Sequence, residues 1–232
     1  MKKYIPNLIT LLNLASGFIA IILFTRGEVV LSAWVLVLAL LFDYLDGLAA
    51  RLLNARSELG VQLDSLADVV SFGVAPGLLM YYMLQQASGA ESVKEYLQYL
   101  PVLIPVLSGL RLGIFNIDKS QKESFRGLPT PANAIFIIGL IIAAEYSDSA
   151  LIKMMYSSRW VLAFFTLCFS ILMVTRIPMF SFKIKHFRFK GNELRIIFIV
   201  LAAVLALGTG AASVPLIIIL YIAVAIAHGY IR

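Results

Sequence analysis

The sequence predicts an all-α, polytopic integral membrane protein with about eight transmembrane helices. Of its 232 residues, 61% are apolar and only 14% are charged, and the mean hydropathy is +0.92. A soluble globular domain is nearer half apolar and a quarter charged, and disordered chains lack long apolar runs, so both classes are excluded. The single cysteine, Cys168, allows neither an intrachain disulfide nor a cysteine metal cluster.

Continuous apolar runs locate the helices, because a spanning helix needs about 20 mostly apolar residues. The runs do not alternate, which argues against barrel strands. They cover residues 6–25, 29–51, 61–86, 97–117, 132–148, 159–178, 194–208 and 213–231. The first residues lack a small-residue cleavage site, so the first run is expected to be retained. The tight connection at 208–210 predicts that the last two helices form a hairpin.

The basic residues predict the orientation in the membrane. With the N-terminus, the even-numbered loops and the C-terminus on one side, that side holds 15 Lys and Arg residues and the other side holds four. The positive-inside rule therefore places both termini in the cytoplasm. The net charge of +6 fits an anionic membrane surface better than nucleic acid. Residues 180–190 either grip anionic headgroups or form an ordinary basic loop.

Four acidic residues fall inside the predicted spanning segments: Asp43, Asp46, Asp64 and Asp68. A charge at membrane depth costs several kcal/mol, so such residues are functional candidates. The members of each pair share one helix face, because they are three and four residues apart. Both pairs lie near the ends of helices joined by a short turn, so they can face each other across a hairpin.

The clustered carboxylates indicate a site for divalent cations. Four such groups repel one another unless cations lie between them. Two divalent ions would balance their charge, and oxygen ligands without His or Cys favour Mg²⁺ or Mn²⁺. Two-metal sites serve phosphoryl transfer. The alternative is a cation-coupled transporter, which should show acids on several distant helices and inverted repeats. The sequence shows one cluster and no convincing repeat.

Residues beside the carboxylates suit a phosphate ligand. Gly47 follows Asp46, and Gly60 lies one turn before Asp64. Glycine inside a helix usually marks a close approach, here of a diphosphate. Arg51 offers planar donors to phosphate oxygens. Tight helix packing is the other reading of such glycines, and it is preferred for Gly73-xxx-Gly77 and Gly109-xxx-Gly113.

The run Asp43-Tyr-Leu-Asp46-Gly47-Leu-Ala-Ala50-Arg51, followed after eight residues by Gly60-Val-Gln-Leu-Asp64-Ser-Leu-Ala-Asp68, resembles the signature of the CDP-alcohol phosphotransferases, D-x2-D-G-x2-A-R-x8-G-x3-D-x3-D. Every fixed position is filled. The resemblance implies a six-helix catalytic core (residues 1–178), followed here by a basic linker (179–192) and a transmembrane hairpin (193–232). It also implies a homodimer, and a reaction in which an alcohol attacks the β-phosphorus of a CDP-linked lipid and CMP leaves.

Three further stretches are similar to the branch of that family that uses L-serine as the acceptor. They are Ser71-Phe-Gly-Val-Ala-Pro76, Arg111-Leu-Gly-Ile-Phe-Asn116 and Phe125-Arg-Gly-Leu-Pro-Thr-Pro131. This similarity implies transfer of the phosphatidyl group of CDP-diacylglycerol to the serine hydroxyl. Glycerol 3-phosphate or inositol phosphate stays open as the acceptor, although either would need further Arg or Lys residues for its second phosphate.

The resemblance also implies roles for individual residues. The metal ligands would be Asp43, Asp46, Asp64 and Asp68, and Asp68 would also take the proton. Contacts to the CDP moiety of CDP-diacylglycerol would come from Asn7, Thr10, Asp43, Gly47, Arg51 and Ser57. Helix capping is an equal alternative for Asn7 and Thr10.

The serine carboxylate calls for a guanidinium. The basic and polar groups left on the cytoplasmic side are Arg111, Asn116, Arg126 and Thr130. We therefore predict that the acceptor pocket is built from these four residues.

Overall fold

The computed structural model describes residues 4–118, 125–179 and 193–231. The basic stretch at 180–190, with which we associated headgroup binding, lies outside these ranges. The helices are α1 (Tyr4–Thr25), α2 (Val29–Leu52), α3 (Glu58–Asp68), α4 (Ala75–Gln86), α5 (Lys94–Leu97), α6 (Leu103–Ile117), α7 (Thr130–Tyr146), α8 (Ala150–Ser157), α9 (Arg159–Val174), α10 (Glu193–Thr209) and α11 (Ser213–Ile231). Two short strands, β1 (Phe125–Arg126) and β2 (Pro178–Met179), pair antiparallel.

The predicted class, an all-α polytopic membrane protein, is confirmed. Five helical stretches are long and apolar enough to cross a bilayer: Tyr4–Thr25, Val29–Leu52, Glu58–Gln86, Glu91–Ile117 and Arg195–Ala227. Helices α7 and α9 are apolar but shorter, and the last of the five stretches covers most of α10 and α11. The count of eight spans therefore stays a prediction.

Proline explains where the helices depart from the predicted runs. Regular α6 begins at Leu103, after a 3₁₀ turn over Leu100–Val102, because Pro101 has no N–H to donate in a continuous helix. Helix α9 ends at Val174 rather than 178, and Pro178 lies in β2. The residue before a proline is disfavoured in the α conformation. Helix α8 occupies a segment that we predicted as a connection.

The third long helix is widened at its centre. Between α3 and α4 the backbone forms a π-helix over Val69–Val74, which packs against α1, α6 and α7. A Cβ atom on Gly73 or Gly77 would lie within 3.2–3.3 Å of Pro105, so the predicted tight packing of this pair is confirmed.

The same packing prediction is wrong for the second glycine pair within one chain. An added Cβ on Gly109 or Gly113 meets no described atom within 4 Å. These glycines lie on the open face of α6, while the buried face carries Ser108, Arg111 and Leu112.

The loops sort into two ends of the helix bundle. The beginning of α1, the α2–α3 turn and residue 129 line one cavity, and β1 joins β2 at this end. The α1–α2 turn and the end of α8 line a second cavity, of about 530 Å³, at the opposite end. The rings of Phe198 in α10 and Tyr221 in α11 lie 6.0 Å apart, so these two helices contact each other.

Arg159, the first residue of α9, ties this helix to the segment that follows α4. Its side chain is 1% exposed. The guanidinium donates to the carbonyl oxygens of Leu84, Ala87 and Gly89 and to Glu91 Oε1. Leu84 lies in the last turn of α4 and the other acceptors follow that turn, so Arg159 closes the carboxyl end of the helix.

Replacing Arg159 by methionine should lower the free energy of unfolding by about 3 kcal/mol, because buried carbonyl oxygens lose their donor. Thermal unfolding in detergent measures the change. Lys153→Met is the matched control, since the Lys153 ammonium forms an exposed ion pair with Asp148 and no other among the described residues, and its loss should change little. Equal unfolding temperatures for the two variants would contradict the role of Arg159.

Candidate active site

A cavity of about 680 Å³ lies at the end of the bundle that holds the beginning of α1. The ends of α2 and α6 and the beginning of α3 form its other walls. Its lining includes all four intramembrane carboxylates, namely Asp43, Asp46, Asp64 and Asp68. The sequence-predicted hairpin therefore places these groups in one chamber.

Local geometry brings the carboxylates together. Helices α2 and α3 are joined by a five-residue turn in which Asn54 adopts a positive φ of 48°, a conformation that Asn tolerates. Ser57 caps α3 by accepting a hydrogen bond from the Gly60 N–H at 3.0 Å. One oxygen from each of Asp43, Asp64 and Asp68 lies within 4.8 Å of the others.

The fourth carboxylate is held differently. Asp46 is 6% exposed, and its Oδ2 accepts a hydrogen bond of 2.6 Å from Thr10 Oγ1. The same hydroxyl oxygen lies 3.1 Å from the Pro6 carbonyl oxygen. Asp46 lines the same cavity but does not join the compact group of three.

This donor set fits divalent cations. Three carboxylate oxygens converge in a chamber where, among the described residues, no Lys or Arg forms an ion pair with any of the four acids. Uncompensated negative charge of this density in a membrane protein is stabilised by a cation. Hard oxygen donors of this kind suit Mg²⁺ or Mn²⁺. The residues present therefore fit the metal that the carboxylate pattern predicts.

The residues predicted to hold the CDP moiety line the same cavity: Asn7, Thr10, Gly47, Arg51 and Ser57. Arg51 Nε donates to the Gly47 carbonyl oxygen at 2.8 Å, so its guanidinium lies over the glycine. A Cβ on Gly60 would lie 3.1 Å from Asn7 Oδ1. Both Asn7 and Thr10 lie inside α1, which already includes Tyr4, so the helix-cap alternative for them is wrong.

The predicted acceptor residues separate into two groups. Arg111 and Asn116 line the cavity. Thr130 is buried behind Arg111, with its Oγ1 3.5 Å from Arg111 Nη1. Arg126 is exposed in β1 and is absent from the part of the cavity wall that the structure describes. Arg111 itself is 8% exposed, and its Nε has no partner among the described residues.

Sequence reasoning missed two residues at this site. Arg56 lines the cavity, but we counted it only for topology. Asn13 is fully buried, and its Nδ2 lies 3.5 Å from Asp68 Oδ1. The available signal was periodicity, because Asn7, Thr10 and Asn13 form a polar stripe at a spacing of three on an otherwise apolar helix.

The profile of the CDP-alcohol phosphatidyltransferases matches residues 3–228, so the chain belongs to this family. Enzymes of this family generally depend on divalent metal ions, in keeping with the three converging carboxylates.

Relatives within the family are similar over much of the chain. A CDP-diacylglycerol–serine O-phosphatidyltransferase of Bacillus subtilis is 34% identical over 185 residues, which cover 79% of this chain and 93% of that protein. The Helicobacter pylori protein of the same name is 36% identical over 57% of this chain. An archaetidylserine synthase of Methanothermobacter thermautotrophicus is 37% identical over 62% of this chain. The matches span only 55% and 60% of the lengths of these last two proteins.

Proposed function

We propose that this protein is a CDP-diacylglycerol–serine O-phosphatidyltransferase, which transfers the phosphatidyl group of CDP-diacylglycerol to the hydroxyl of L-serine and releases CMP. One observation carries the proposal: Asp68 and the buried guanidinium of Arg111 line the same cavity. A proton acceptor and a carboxylate clamp thus face one chamber, as an amino acid acceptor requires. The names of the relatives support the same reaction.

The lipid nucleotide would enter with its acyl chains in the bilayer and its diphosphate in the cavity. Because Gly47 has no side chain, a phosphate could approach the α2 backbone beside Arg51. The Arg51 guanidinium offers planar donors to phosphate oxygens. Asn7 and Thr10 from α1 and Ser57 from the α2–α3 turn supply polar contacts on the other walls. The CDP moiety would therefore be held between the first three helices.

Asp43, Asp64 and Asp68 would hold the divalent ions, with Asp46 completing the set from the adjacent wall. Two ions, Mg²⁺ or Mn²⁺, match the charge of the four carboxylates. When bound, such ions neutralise the diphosphate and stabilise the entering and leaving oxygens of an in-line displacement.

The chain's own residues then account for the transfer. The Asp68 carboxylate takes the proton of the serine hydroxyl as that oxygen forms a bond to the β-phosphorus. The bond between this phosphorus and the CMP oxygen breaks, and Arg51 donates to the departing phosphate. Arg111, held through Nη1 by Thr130, would orient the serine carboxylate so that the hydroxyl points at phosphorus.

We expect at least one of Arg111→Lys and Arg126→Lys to raise the KM for serine about tenfold or more, equivalent to roughly 1.4 kcal/mol. Lysine keeps the charge but lacks the planar fork that binds a carboxylate through two hydrogen bonds. Because Arg111 lines the cavity and Arg126 lies outside its described wall, Arg111→Lys should give the larger change. The KM for CDP-diacylglycerol should stay within about twofold, since the clamp does not contact the nucleotide. Unchanged serine KM in both variants would move the acceptor pocket elsewhere.

We further propose that the active-site end faces the cytoplasm, as do both termini. The loops that the charge count assigns to the cytoplasm meet at this end in the structure. A membrane-impermeant thiol reagent added to intact cells tests this, in a Cys168→Ser background. Lys153→Cys should react and Arg176→Cys should not; the reverse pattern would contradict the orientation.

The homodimer implied by the family resemblance is also part of the proposal. Gly109 and Gly113 lie one turn apart on the open face of α6, and small residues at this spacing let helices approach closely. Light scattering in detergent should give twice the chain mass of 25.6 kDa, and a monomeric mass would contradict it.

The choice of acceptor is tested with the purified protein, CDP-diacylglycerol and a panel of alcohols. CMP release should be fastest with L-serine and slow with glycerol 3-phosphate or inositol phosphate. A faster reaction with either phosphate would assign the protein to another acceptor class within the family. Arg56 is the cavity-lining cation that would then hold the second phosphate. Membership of the family leaves the transporter alternative without support.

A further inference from the structure

Asn13 contacts the proposed base from outside the cavity. It is 0% exposed, and its Nδ2 donates to Asp68 Oδ1 at 3.5 Å. Asp68 belongs to the cavity wall, whereas Asn13 does not. Asn13 therefore reaches the carboxylate from the protein side, away from the substrates.

A second contact fixes Asn13 relative to Asp68. Ser71 lies three residues beyond Asp68 in the chain. Its Oγ donates to the Asn13 carbonyl oxygen at 3.0 Å. Gly17, one turn after Asn13, allows this approach, because a Cβ there would lie 2.9 Å from the Ser71 Cα.

The segment that carries Ser71 is the π-helix that begins directly after Asp68. Single π turns inside α-helices occur often at functional sites. The π-helix and Gly17 therefore let α1 pack closely against the segment that follows Asp68, next to the carboxylate.

The environment of Asn13 is unfavourable for a residue with a purely structural role. Its Oδ1 is buried and has no hydrogen-bond partner among the described residues. Burying an amide with one oxygen unpaired costs free energy, and a leucine of similar volume would avoid this cost. Residues that lower stability in this way are expected at functional sites, where the cost is balanced by the activity they support.

We propose that Asn13 is a positioning residue for Asp68, an inference that rests on the proposed function. By holding Oδ1, it stops the carboxylate from rotating and leaves Oδ2 to take the proton of the acceptor hydroxyl. Asn13 touches neither substrate in this arrangement. Its loss should therefore change turnover and the fit of the carboxylate to metal, and leave substrate binding almost unaltered.

Two substitutions remove the hydrogen bond in different ways. Asn13→Leu keeps the volume without polar atoms. Asn13→Ser keeps a polar group that is too short to reach Asp68 and that bonds to its own helix. Ser32→Ala is the matched control, because it removes a buried 2.7 Å hydrogen bond between α2 and the Ala20 carbonyl oxygen of α1, far from the carboxylates.

Both Asn13 variants should lower kcat for CMP release about tenfold or more, the usual effect of losing a partner that orients a ligand side chain. At a saturating concentration of Mn²⁺ the KM for CDP-diacylglycerol should stay within about twofold, and Ser32→Ala should keep the parent kcat even if it unfolds at a lower temperature. The Kd for Mn²⁺, measured by electron paramagnetic resonance, should rise about tenfold in the Asn13 variants only.

The two readouts separate this inference from the proposed function. If the unmodified protein releases no CMP with serine, the proposed function fails, and the Mn²⁺ Kd still decides the role of Asn13. An unchanged Mn²⁺ Kd in both Asn13 variants overturns the positioning role, and so does a kcat equal to that of Ser32→Ala. If Asn13→Leu does not fold, Asn13→Ser provides the same comparison.

Discussion

Replacing Asp68 by asparagine is expected to lower kcat about a thousandfold, within the range that general bases contribute. The amide keeps the shape of the side chain and can still receive the hydrogen bond from Asn13 Nδ2 through its oxygen. It cannot take the proton of the serine hydroxyl, so the chemical step should slow by this factor while binding of CDP-diacylglycerol continues. CMP release and the binding of CDP-diacylglycerol, measured separately, test this.

The other carboxylates supply the control for that experiment. Asp43→Asn should weaken both lipid-nucleotide binding and turnover, because Asp43 would hold the metal and contact the CDP moiety but would not take the proton. Asp46→Asn should do the same, and it also disturbs the hydrogen bond from Thr10. Similar binding and similar residual turnover in all three variants would show that Asp68 has no separate role as the base.

Removal of divalent ions should abolish CMP release. The oxygens of Asp43, Asp64 and Asp68 converge within 4.8 Å, and like charges at this separation need a cation between them. Without it, the diphosphate would also meet four carboxylates and be repelled. Activity measured after treatment with excess chelator should therefore fall to background.

Adding ions back gives the specificity of the site. Mg²⁺ or Mn²⁺ should restore CMP release, and Ca²⁺ should restore it poorly, because Ca²⁺ prefers a larger and looser ligand shell. Zn²⁺ should also restore CMP release poorly, since the site offers neither His nor Cys within its described wall. Full activity in excess chelator would contradict a metal-dependent mechanism.

The core of the site could be predicted because its geometry is local. Spacings of three and four residues fix which carboxylates share a helix face, and a five-residue turn leaves α2 and α3 few ways to pack. The sequence therefore predicted that the two Asp pairs can face each other across a hairpin, and all four line one cavity. Hydropathy likewise predicted the class of fold, because the bilayer demands long apolar helices.

The parts that could not be predicted depend on contacts between distant segments. The hydrogen bond from Asn13 to Asp68 joins residues 55 positions apart, and it requires α1 to approach a π-helix that apolar periodicity does not reveal. The sequence predicted only that a helix begins at Arg159, whereas its guanidinium binds carbonyl oxygens at the end of α4 and just beyond it. Tertiary partners decide whether such a polar residue is buried.

The central claim is that the serine hydroxyl oxygen attacks the β-phosphorus of CDP-diacylglycerol. Mass spectrometry of the products formed with L-serine labelled with ¹⁸O in its hydroxyl group tests it most directly. The account predicts phosphatidylserine that retains the label in its phosphodiester bridge, one unlabelled CMP for each lipid formed, and about a thousandfold slower formation of both products by Asp68→Asn. Label found in CMP, or CMP released without labelled phosphatidylserine, would contradict it.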